Sequence, residues 1–117
     1  MISAFQSPLS GLRAFGTRIQ SNSDNIANAN TDGFKKTRVI LEQAFPHGVK
    51  TQIEKINTPA PEVFQECSEG LDLVELSNVD LSRELPEIYL NSQMYKANLK
   101  TIQTVDNMLG SLLKIKS

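Results

Sequence analysis

Apolar or small residues recur at alternating intervals of three and four along the first 26 residues of the chain. This spacing is a heptad repeat, which predicts an α-helix that packs lengthwise against another helix. Pro8 suits the first turn of a helix, so the helix begins either at Ser7 or near Ser3 with a kink. The seam positions are Ile2, Phe5, Leu9, Leu12, Gly16, Ile19, Ser23 and Ile26.

A second heptad seam begins at Leu81 and predicts a longer C-terminal helix, with Asn78 or Asp80 as its N-cap. Pro86 would be tolerated only in the first turns of this helix. If residues 79–117 are helical throughout, they span about 58 Å at about 1.5 Å per residue, so we expect an elongated molecule. The seam consists of Leu81, Leu85, Ile88, Ser92, Tyr95, Leu99 and Ile102, and apolar positions continue at Val105, Leu109 and Leu112.

Between the helices the apolar residues alternate with a period of two. Residues 37–45 and 49–54 follow this pattern, and Pro46-His47-Gly48 between them is typical of a hairpin loop. The acidic stretch that follows, up to Glu75, is predicted to be a linker.

The pattern therefore predicts a mainly α fold, with elongated N- and C-terminal helices paired as a coiled coil and a small β-hairpin or extended region between them. A self-contained helical hairpin or a dimeric bundle has the same periodicity. The expected divisions are residues 1–36, a heptad helix with an asparagine-rich turn; residues 37–76, a short β-hairpin and an acidic linker; and residues 77–117, a second heptad helix.

Four asparagines lie within nine residues at the end of the first helix: Asn22, Asn25, Asn28 and Asn30. Asparagine is a mediocre helix former, because its side chain competes for backbone hydrogen bonds. The first three are three residues apart and form a stripe beside the seam, where amides can fix the register of packed helices. A solvated helix face is the alternative to this interface. Gly33 is expected to end the pattern as a left-handed cap or turn residue.

The charge composition excludes some classes of partner. Lys and Arg number 12 against 13 Asp and Glu, so no bulk field attracts nucleic acid or an anionic membrane. Residues 1–50 carry six basic and three acidic side chains, whereas residues 51–78 carry one basic and six acidic. Head-to-tail packing of copies and a solvated surface explain this unevenness equally well. We expect neither a cleaved secretory signal nor membrane insertion.

The sequence offers little for catalysis. His47 and Cys67 are the single histidine and the single cysteine, and they lack the spacing of a metal site. A Cys–His nucleophile pair is a remote alternative, because nothing orients the two residues. No phosphate-binding loop and no clustered basic patch is present. We therefore expect a non-enzymatic protein with no catalytic, cofactor-binding or metal-binding residues and no small-molecule substrate.

Two stretches resemble the signatures of flagellar axial proteins, the rod and hook subunits of the bacterial basal body. Residues 23–36, SDNIANANTDGFKK, are similar to the N-terminal signature of that family. Residues 76–116 are similar to its C-terminal signature, through Ser77-Asn78-Val79-Asp80-Leu81, Tyr95-Lys96-Ala97-Asn98 and Asp106-Asn107-Met108-Leu109. The short middle region resembles a proximal rod protein most, whereas Pro86 and Gln93-Met94 depart from the family pattern.

The resemblance implies a structural subunit of the hollow rod that self-assembles through its terminal helices with other rod and hook-type axial proteins and with copies of itself. It also implies export by the flagellar type III export apparatus without a cleaved signal peptide, and a place in the periplasmic rod of the basal body. A cytoplasmic helical adaptor or export chaperone is the alternative. The residues expected at subunit interfaces are Leu9, Leu12, Ile19, Asn22, Asn25, Ile26, Asn28, Asn30, Gly33, Phe34, Leu85, Ile88, Tyr95, Asn98, Leu99, Ile102, Leu109 and Leu112.

Overall fold

The computed structural model describes residues 3–116. It contains two long helices, one at each end of the chain, and two antiparallel hairpins between them in sequence. The molecule measures 80 × 24 × 21 Å, so the expected elongated shape is confirmed. The predicted seam position Ile2 lies outside the described residues. The elements are α1 (Ser3–Ala27), β1 (Thr37–Gln43), β2 (Val49–Lys55), β3 (Glu62–Cys67), β4 (Gly70–Glu75) and α2 (Leu81–Lys116).

The helices pack against each other in antiparallel directions. Gly11 lies against the side chain of Asn98, and Asn22, three turns further along α1, meets Asn91. At about 1.5 Å per residue the 25 residues of α1 span about 38 Å and the 36 residues of α2 about 54 Å. Phe5 lies beside Ile102, so the last turns of α2 run past the described start of α1. The pairing of two terminal helices is observed, and its coiled-coil geometry stays a prediction.

The structure decides between the two N-caps considered for the second helix and between the two starts considered for the first. Asp80 caps α2, because its carboxylate accepts hydrogen bonds from the Ser82 amide at 3.0 Å and the Ser82 hydroxyl at 2.6 Å. These contacts hold the pKa of Asp80 below its ordinary value, since they favour the charged carboxylate. Pro86 lies inside α2 without delaying its start, and α1 already begins at Ser3 and continues through Pro8.

The predicted hairpin is present and lies along α1. Strands β1 and β2 pair from Thr37 opposite Lys55 to Gln43 opposite Val49, and the loop between them contains the predicted Pro46-His47-Gly48. At its tip the Val49 amide donates to Ser10 Oγ at 3.1 Å. Gly48 has a φ of 106°, and a Cβ there would lie only 2.7 Å from Ser10 Oγ. Close approach and backbone conformation therefore both require glycine at the tip.

The acidic stretch is not a linker, and that prediction was wrong. Strands β3 and β4 form a second hairpin, paired from Glu62 opposite Glu75 to Cys67 opposite Gly70, which we call the arm (residues 62–75). Every residue of β3 is exposed. A strand is recognised by its contrast between a buried apolar face and a solvated polar face, and a hairpin exposed on both faces lacks that contrast.

The core of the subunit is small and largely polar. Among the described residues the buried apolar side chains are Ala14, Val39 and Ala60, while Asn22, Asn25, Ser77, Glu84 and Asn91 are buried polar residues. Three of the four buried positions of α1 directly precede predicted seam positions, with Gly11 before Leu12, Asn22 before Ser23 and Asn25 before Ile26; the fourth is Ala14. The chain thus buries its amides and leaves much of its apolar surface outside.

Candidate subunit interface

A buried amide and carboxylate cluster joins the two helices. Asn91 donates through Nδ2 to Asn22 Oδ1 at 2.7 Å, and Asn22 donates through Nδ2 to Glu84 Oε2 at 2.7 Å. All three side chains are at most 7 % exposed, and Glu84 forms no ion pair among residues 3–116. A buried polar group without a partner costs about 1–3 kcal/mol, so these contacts penalise any sliding of α1 along α2.

Asn25 connects α1 to the first strand. Its side chain is 1 % exposed, accepts a hydrogen bond from the Thr37 amide at 3.0 Å and donates to the Thr37 carbonyl at 2.8 Å. Ser21 adds a hydroxyl contact of 2.8 Å to Thr37 Oγ1. Asn25 therefore satisfies both backbone groups of Thr37, as a neighbouring strand would, and fixes where β1 begins.

The other two asparagines lie at the end of α1 and in the turn that follows it. Asn28 directly follows α1, is half-buried and donates to the Asp24 carbonyl in the last turn of that helix at 2.8 Å, while Asn30 is exposed. Gly33 has a φ of 71°, as predicted, and its amide donates to the Glu75 carbonyl at 2.8 Å. Phe34 is half-buried, and its amide closes the turn on the Thr31 carbonyl at 3.2 Å.

Asn78 holds three segments together at the crossing point, where residues 33–36, 56–60 and 75–78 meet. Its Oδ1 accepts from the Lys36 amide at 2.7 Å, and its Nδ2 donates to the carbonyls of Ile56 and Thr58 at 2.8 and 3.1 Å. This asparagine, considered above as a helix cap, instead secures the bases of both hairpins.

An ion pair fastens the base of the arm to the crossing point. Lys35 Nζ contacts Glu75 Oε1 and donates to the Thr58 carbonyl at 3.1 Å. Glu75 Oε1 also accepts from the Ala60 amide at 3.0 Å. The Lys35 contact, followed by the Ala60 amide, holds the pKa of Glu75 below its ordinary value.

The predicted interface residues on the helices fall into two groups, those bonded to partners inside the chain and those that are half-buried or exposed. Asn22 and Asn25 find their partners inside the chain, so they shape the subunit; a further role between subunits stays a prediction. On α1, Leu12, Ile19 and Ile26 are half-buried and Leu9 is exposed; on α2, Ile88, Tyr95, Asn98, Ile102 and Leu109 are half-buried, and Leu85, Leu99 and Leu112 are exposed.

Helix α2 carries two exposed apolar stripes on either side of the face that contacts α1. With about 100° between successive residues, one stripe contains Leu81, Leu85 and Leu99, and the other contains Leu90, Met94, Met108 and Leu112. We call these the flanking stripes. Each of their side chains is between 42 % and 62 % exposed. Exposed apolar stripes of this extent are a mark of protein–protein contact.

Sequence reasoning missed several residues that shape this surface. Gly11 permits the closest helix approach, since a Cβ there would lie 2.6 Å from Asn98 Oδ1. Ser10, Glu84 and Asn91 were also missed, because polar residues give no apolar period. The sequence did contain a signal for Gly11. It lies one position before the seam residue Leu12, and Gly11, Ala14 and Arg18 follow one another at the same intervals of three and four as the seam.

A groove of about 260 Å³ opens between α1, β1 and the first turns of α2. Four basic residues line it, Arg18, Lys36, Arg38 and Arg83, and we call it the basic groove. Its two carboxylates, Glu84 and Glu87, accept hydrogen bonds from Asn22 at 2.7 and 3.4 Å. Arg38 pairs with Glu54 at 2.7 Å on the exposed surface. Among residues 3–116, Arg18, Lys36 and Arg83 form no ion pair, although Lys36 and Arg83 attract the nearby Asp80 carboxylate.

The chemistry considered for an enzyme does not come together. His47 lies in the first hairpin loop and Cys67 at the turn of the arm, and both are exposed. Within residues 3–116 no group of three or more His, Cys, Asp or Glu side chains could hold a metal ion. None of the described helices is both long and apolar enough to span a membrane.

Two family models match the chain at the ends that the helices occupy. The model described as flagella basal body rod protein matches residues 5–35, which contain most of α1 and the turn after it. The model described as flagellar basal body rod FlgEFG protein C-terminal matches residues 73–115. The chain belongs to the flagellar basal-body rod protein family. No curated protein matches the sequence significantly.

Family membership bears on the role and the location of this protein. It supports a structural, non-enzymatic role and a location in the flagellar basal body. The matches end in the middle region, since residues 36–72 lie outside both models. The first hairpin and most of the arm therefore lie between the two stretches that the family models match.

Proposed function

We propose that this protein is a subunit of the bacterial flagellar rod that assembles with copies of itself and with other axial proteins through its terminal helices. The observation that carries the proposal is the pair of flanking stripes on α2. A helix with apolar stripes on both sides of its intramolecular contact can pack against two further helices at once.

The energetics favour assembly over an isolated monomer. Fully burying one leucine or methionine side chain contributes about 1.5–3 kcal/mol, and the flanking stripes offer seven such side chains, each roughly half exposed. The turns of α2 beyond Asp106 contain Met108 and Leu112, and the shallow groove there is lined, among the described residues, by α2 alone. We therefore expect these turns to exchange amide hydrogens quickly in the monomer and to become protected in the rod.

In the assembled rod the two helices would form an inner layer around the central channel, and residues 37–75 would face outward toward neighbouring subunits. The subunit would pass through the flagellar type III export apparatus without a cleaved signal peptide and assemble in the periplasm. A proximal position fits the short middle region, while the divisions at residues 36 and 76 would separate the inner helices from the outer hairpins.

Replacing Leu99 by Asp tests the helix contact. Leu99 is 45 % exposed, so the subunit should fold and be exported, while a charge inside a helix–helix contact should block its incorporation. Gln93→Asp is the matched control, because Gln93 is exposed on the polar face of α2 that also carries Lys96 and Lys100. The measurement is the amount of each variant in isolated basal bodies and in the exported fraction.

Normal rods containing Leu99→Asp would contradict the proposed helix contact. Finding the wild-type protein only in the cytosol, and absent from isolated basal bodies, would contradict the structural role itself. That second result is the one expected of a cytoplasmic adaptor or export chaperone.

A further inference from the structure

The arm is attached to its subunit at the base and projects from it. Among the described residues, strands β3 and β4 contact each other and no other helix or strand. A two-stranded hairpin is marginally stable alone in water. The ion pair of Lys35 with Glu75 and the backbone bond from Leu76 to Pro61 secure only its base. Such an element gains stability when another surface covers it.

One face of the arm is apolar with an acidic border. The register places Phe64 opposite Leu73 and Glu66 opposite Leu71, so these four side chains share a face. Phe64, Leu71 and Leu73 are 72 %, 67 % and 54 % exposed. We call this the arm face. Asp72 lies on the other side of the hairpin, because its pair with Gln65 alternates with those two pairs.

The charge of the arm is of a single sign. All charged residues between Ile56 and Leu81 are acidic: Glu62, Glu66, Glu69, Asp72, Glu75 and Asp80. A partner surface that covers the arm face must therefore combine apolar contact with positive charge. Such a surface exists on this same chain, since the basic groove combines Arg18, Lys36 and Arg83 with the half-buried Ile56. The two carboxylates of the groove, Glu84 and Glu87, are already bonded by Asn22.

We infer that the arm of one copy docks in the basic groove of the next copy, with Phe64 and Leu73 in the groove and Glu66 beside Arg83 or Lys36. The inference rests on the proposed function, because it names the partner of the outward-facing region. Arm and groove are different surfaces of one chain, so the contact is heterologous and repeats from copy to copy. A heterologous contact that does not close into a ring builds a helical array, which is the geometry that a rod requires.

Charge reversal tests this pairing with the purified full-length protein. Glu66→Arg and Arg83→Glu, each alone, should weaken self-association about tenfold, because each places like charges together, and the combined variant should recover most of the loss. Asp72→Arg is the matched control, since it makes the same charge change on the opposite side of the arm and should not be rescued by Arg83→Glu. Sedimentation over a range of protein concentrations measures the association constant, and raising the salt should weaken the wild-type contact.

The single native cysteine provides a second measurement at the turn of the arm. A copy carrying Cys67→Ser and Arg83→Cys is mixed with a tagged wild-type copy under a mild oxidant, which removes two electrons as the two thiols form a disulfide. A mixed disulfide dimer is expected, and Ser111→Cys in place of Arg83→Cys should give at least tenfold less.

Single reversals that leave self-association unchanged would overturn the inference. So would a loss that the combined variant does not recover, because the arm would then dock on another protein. If Leu99→Asp still blocks incorporation in either case, the proposed function stands without the arm contact. If the protein is absent from basal bodies while the paired reversals compensate in solution, the proposed function fails and the arm contact stands.

Discussion

The two hairpins of this molecule are similar in construction and opposite in environment. Both are antiparallel pairs of six- or seven-residue strands, and both have a glycine of positive φ at the turn, Gly48 at 106° and Gly70 at 127°. The first hairpin lies along α1 and buries Val39 at 5 % exposure, whereas the arm leaves Phe64 at 72 %. Strand pairing therefore does not decide which hairpin joins the subunit core.

The difference lies in polar anchors supplied by α1. Asn25 hydrogen-bonds both backbone groups of Thr37 at the start of the first hairpin. At the tip of that hairpin the Ser10 hydroxyl accepts a hydrogen bond from the Val49 amide. Among the described residues the arm's polar anchors lie only at its base, at Glu75. A few directional contacts at both ends hold one hairpin against a helix, and a hairpin anchored at one end projects from the subunit.

Asn25→Ala should produce the largest change, because it removes the first anchor. The Thr37 amide would lose its Asn25 partner, and the Thr37 carbonyl would keep only the longer contact with Ser21 Oγ at 3.3 Å. Leaving a buried polar group without a good partner costs about 1–3 kcal/mol. We expect the free energy of unfolding to fall by about 3 kcal/mol. Amide exchange in β1 and β2 should rise toward that of the arm, as measured by urea unfolding and hydrogen exchange.

Asn30→Ala is the control for this change, since Asn30 is exposed in the same motif and should alter stability by less than about 0.5 kcal/mol. If Asn25→Ala left the exchange of β1 unchanged, the first hairpin would be held by apolar contact alone.

The two turn glycines allow a direct comparison of the hairpins. Alanine at either Gly48 or Gly70 is strained by the positive φ, at about 1–2 kcal/mol. Gly48→Ala should cost about 1 kcal/mol more, because its Cβ would meet Ser10 Oγ at 2.7 Å, while nothing lies within 4 Å of a Cβ at Gly70. Urea unfolding of the two variants measures the difference. Equal losses would mean that the tip of the first hairpin does not press on α1.

The sequence pattern predicted the helices well and the arm poorly, for a single physical reason. Heptad spacing reports a continuous apolar face, so α1, α2 and the alternating first hairpin were recognised from their residues. The arm was interpreted as a linker because both of its faces are exposed and its acidic residues interrupt the apolar ones. Periodicity detects burial within the chain, and an element that has no partner within the chain leaves no period to detect.

The candidate interface was predictable to a similar extent. Exposed Leu85, Leu99 and Leu112 lie on the flanking stripes and were identified from their apolar spacing. Asn22 was singled out by its spacing as well, yet its partners Asn91 and Glu84 could not be, because a hydrogen bond between residues 62 to 69 positions apart depends on the pairing of the helices. Apolar spacing indicates which face a residue occupies, whereas polar partners follow only from the three-dimensional arrangement.

The smallest expected effect concerns the anchor at the base of the arm and its dependence on pH. Glu75 has a pKa below its ordinary value in the folded protein, chiefly because Lys35 and the Ala60 amide favour its charged form. The folded state therefore binds this proton less readily than the unfolded state, so the contribution of Glu75 to stability is present above its ordinary pKa and is lost as the pH falls through the folded pKa. Glu75→Gln should flatten the decline in stability between about pH 5 and about pH 3.

Glu54→Gln is the control in the first hairpin, because the Glu54–Arg38 pair is exposed and such pairs contribute little. Urea midpoints measured at several pH values should separate the two variants above about pH 5 and bring them together at the acidic end, where Glu75 is protonated. If the Glu75→Gln profile ran parallel to that of the wild type, the carboxylate would not hold the base of the arm. The arm's direction would then depend on the Asn78 contacts and on the backbone bonds from Gly33 to Glu75 and from Leu76 to Pro61. The arm would be freer to turn toward a neighbouring subunit than the Lys35–Glu75 anchor implies.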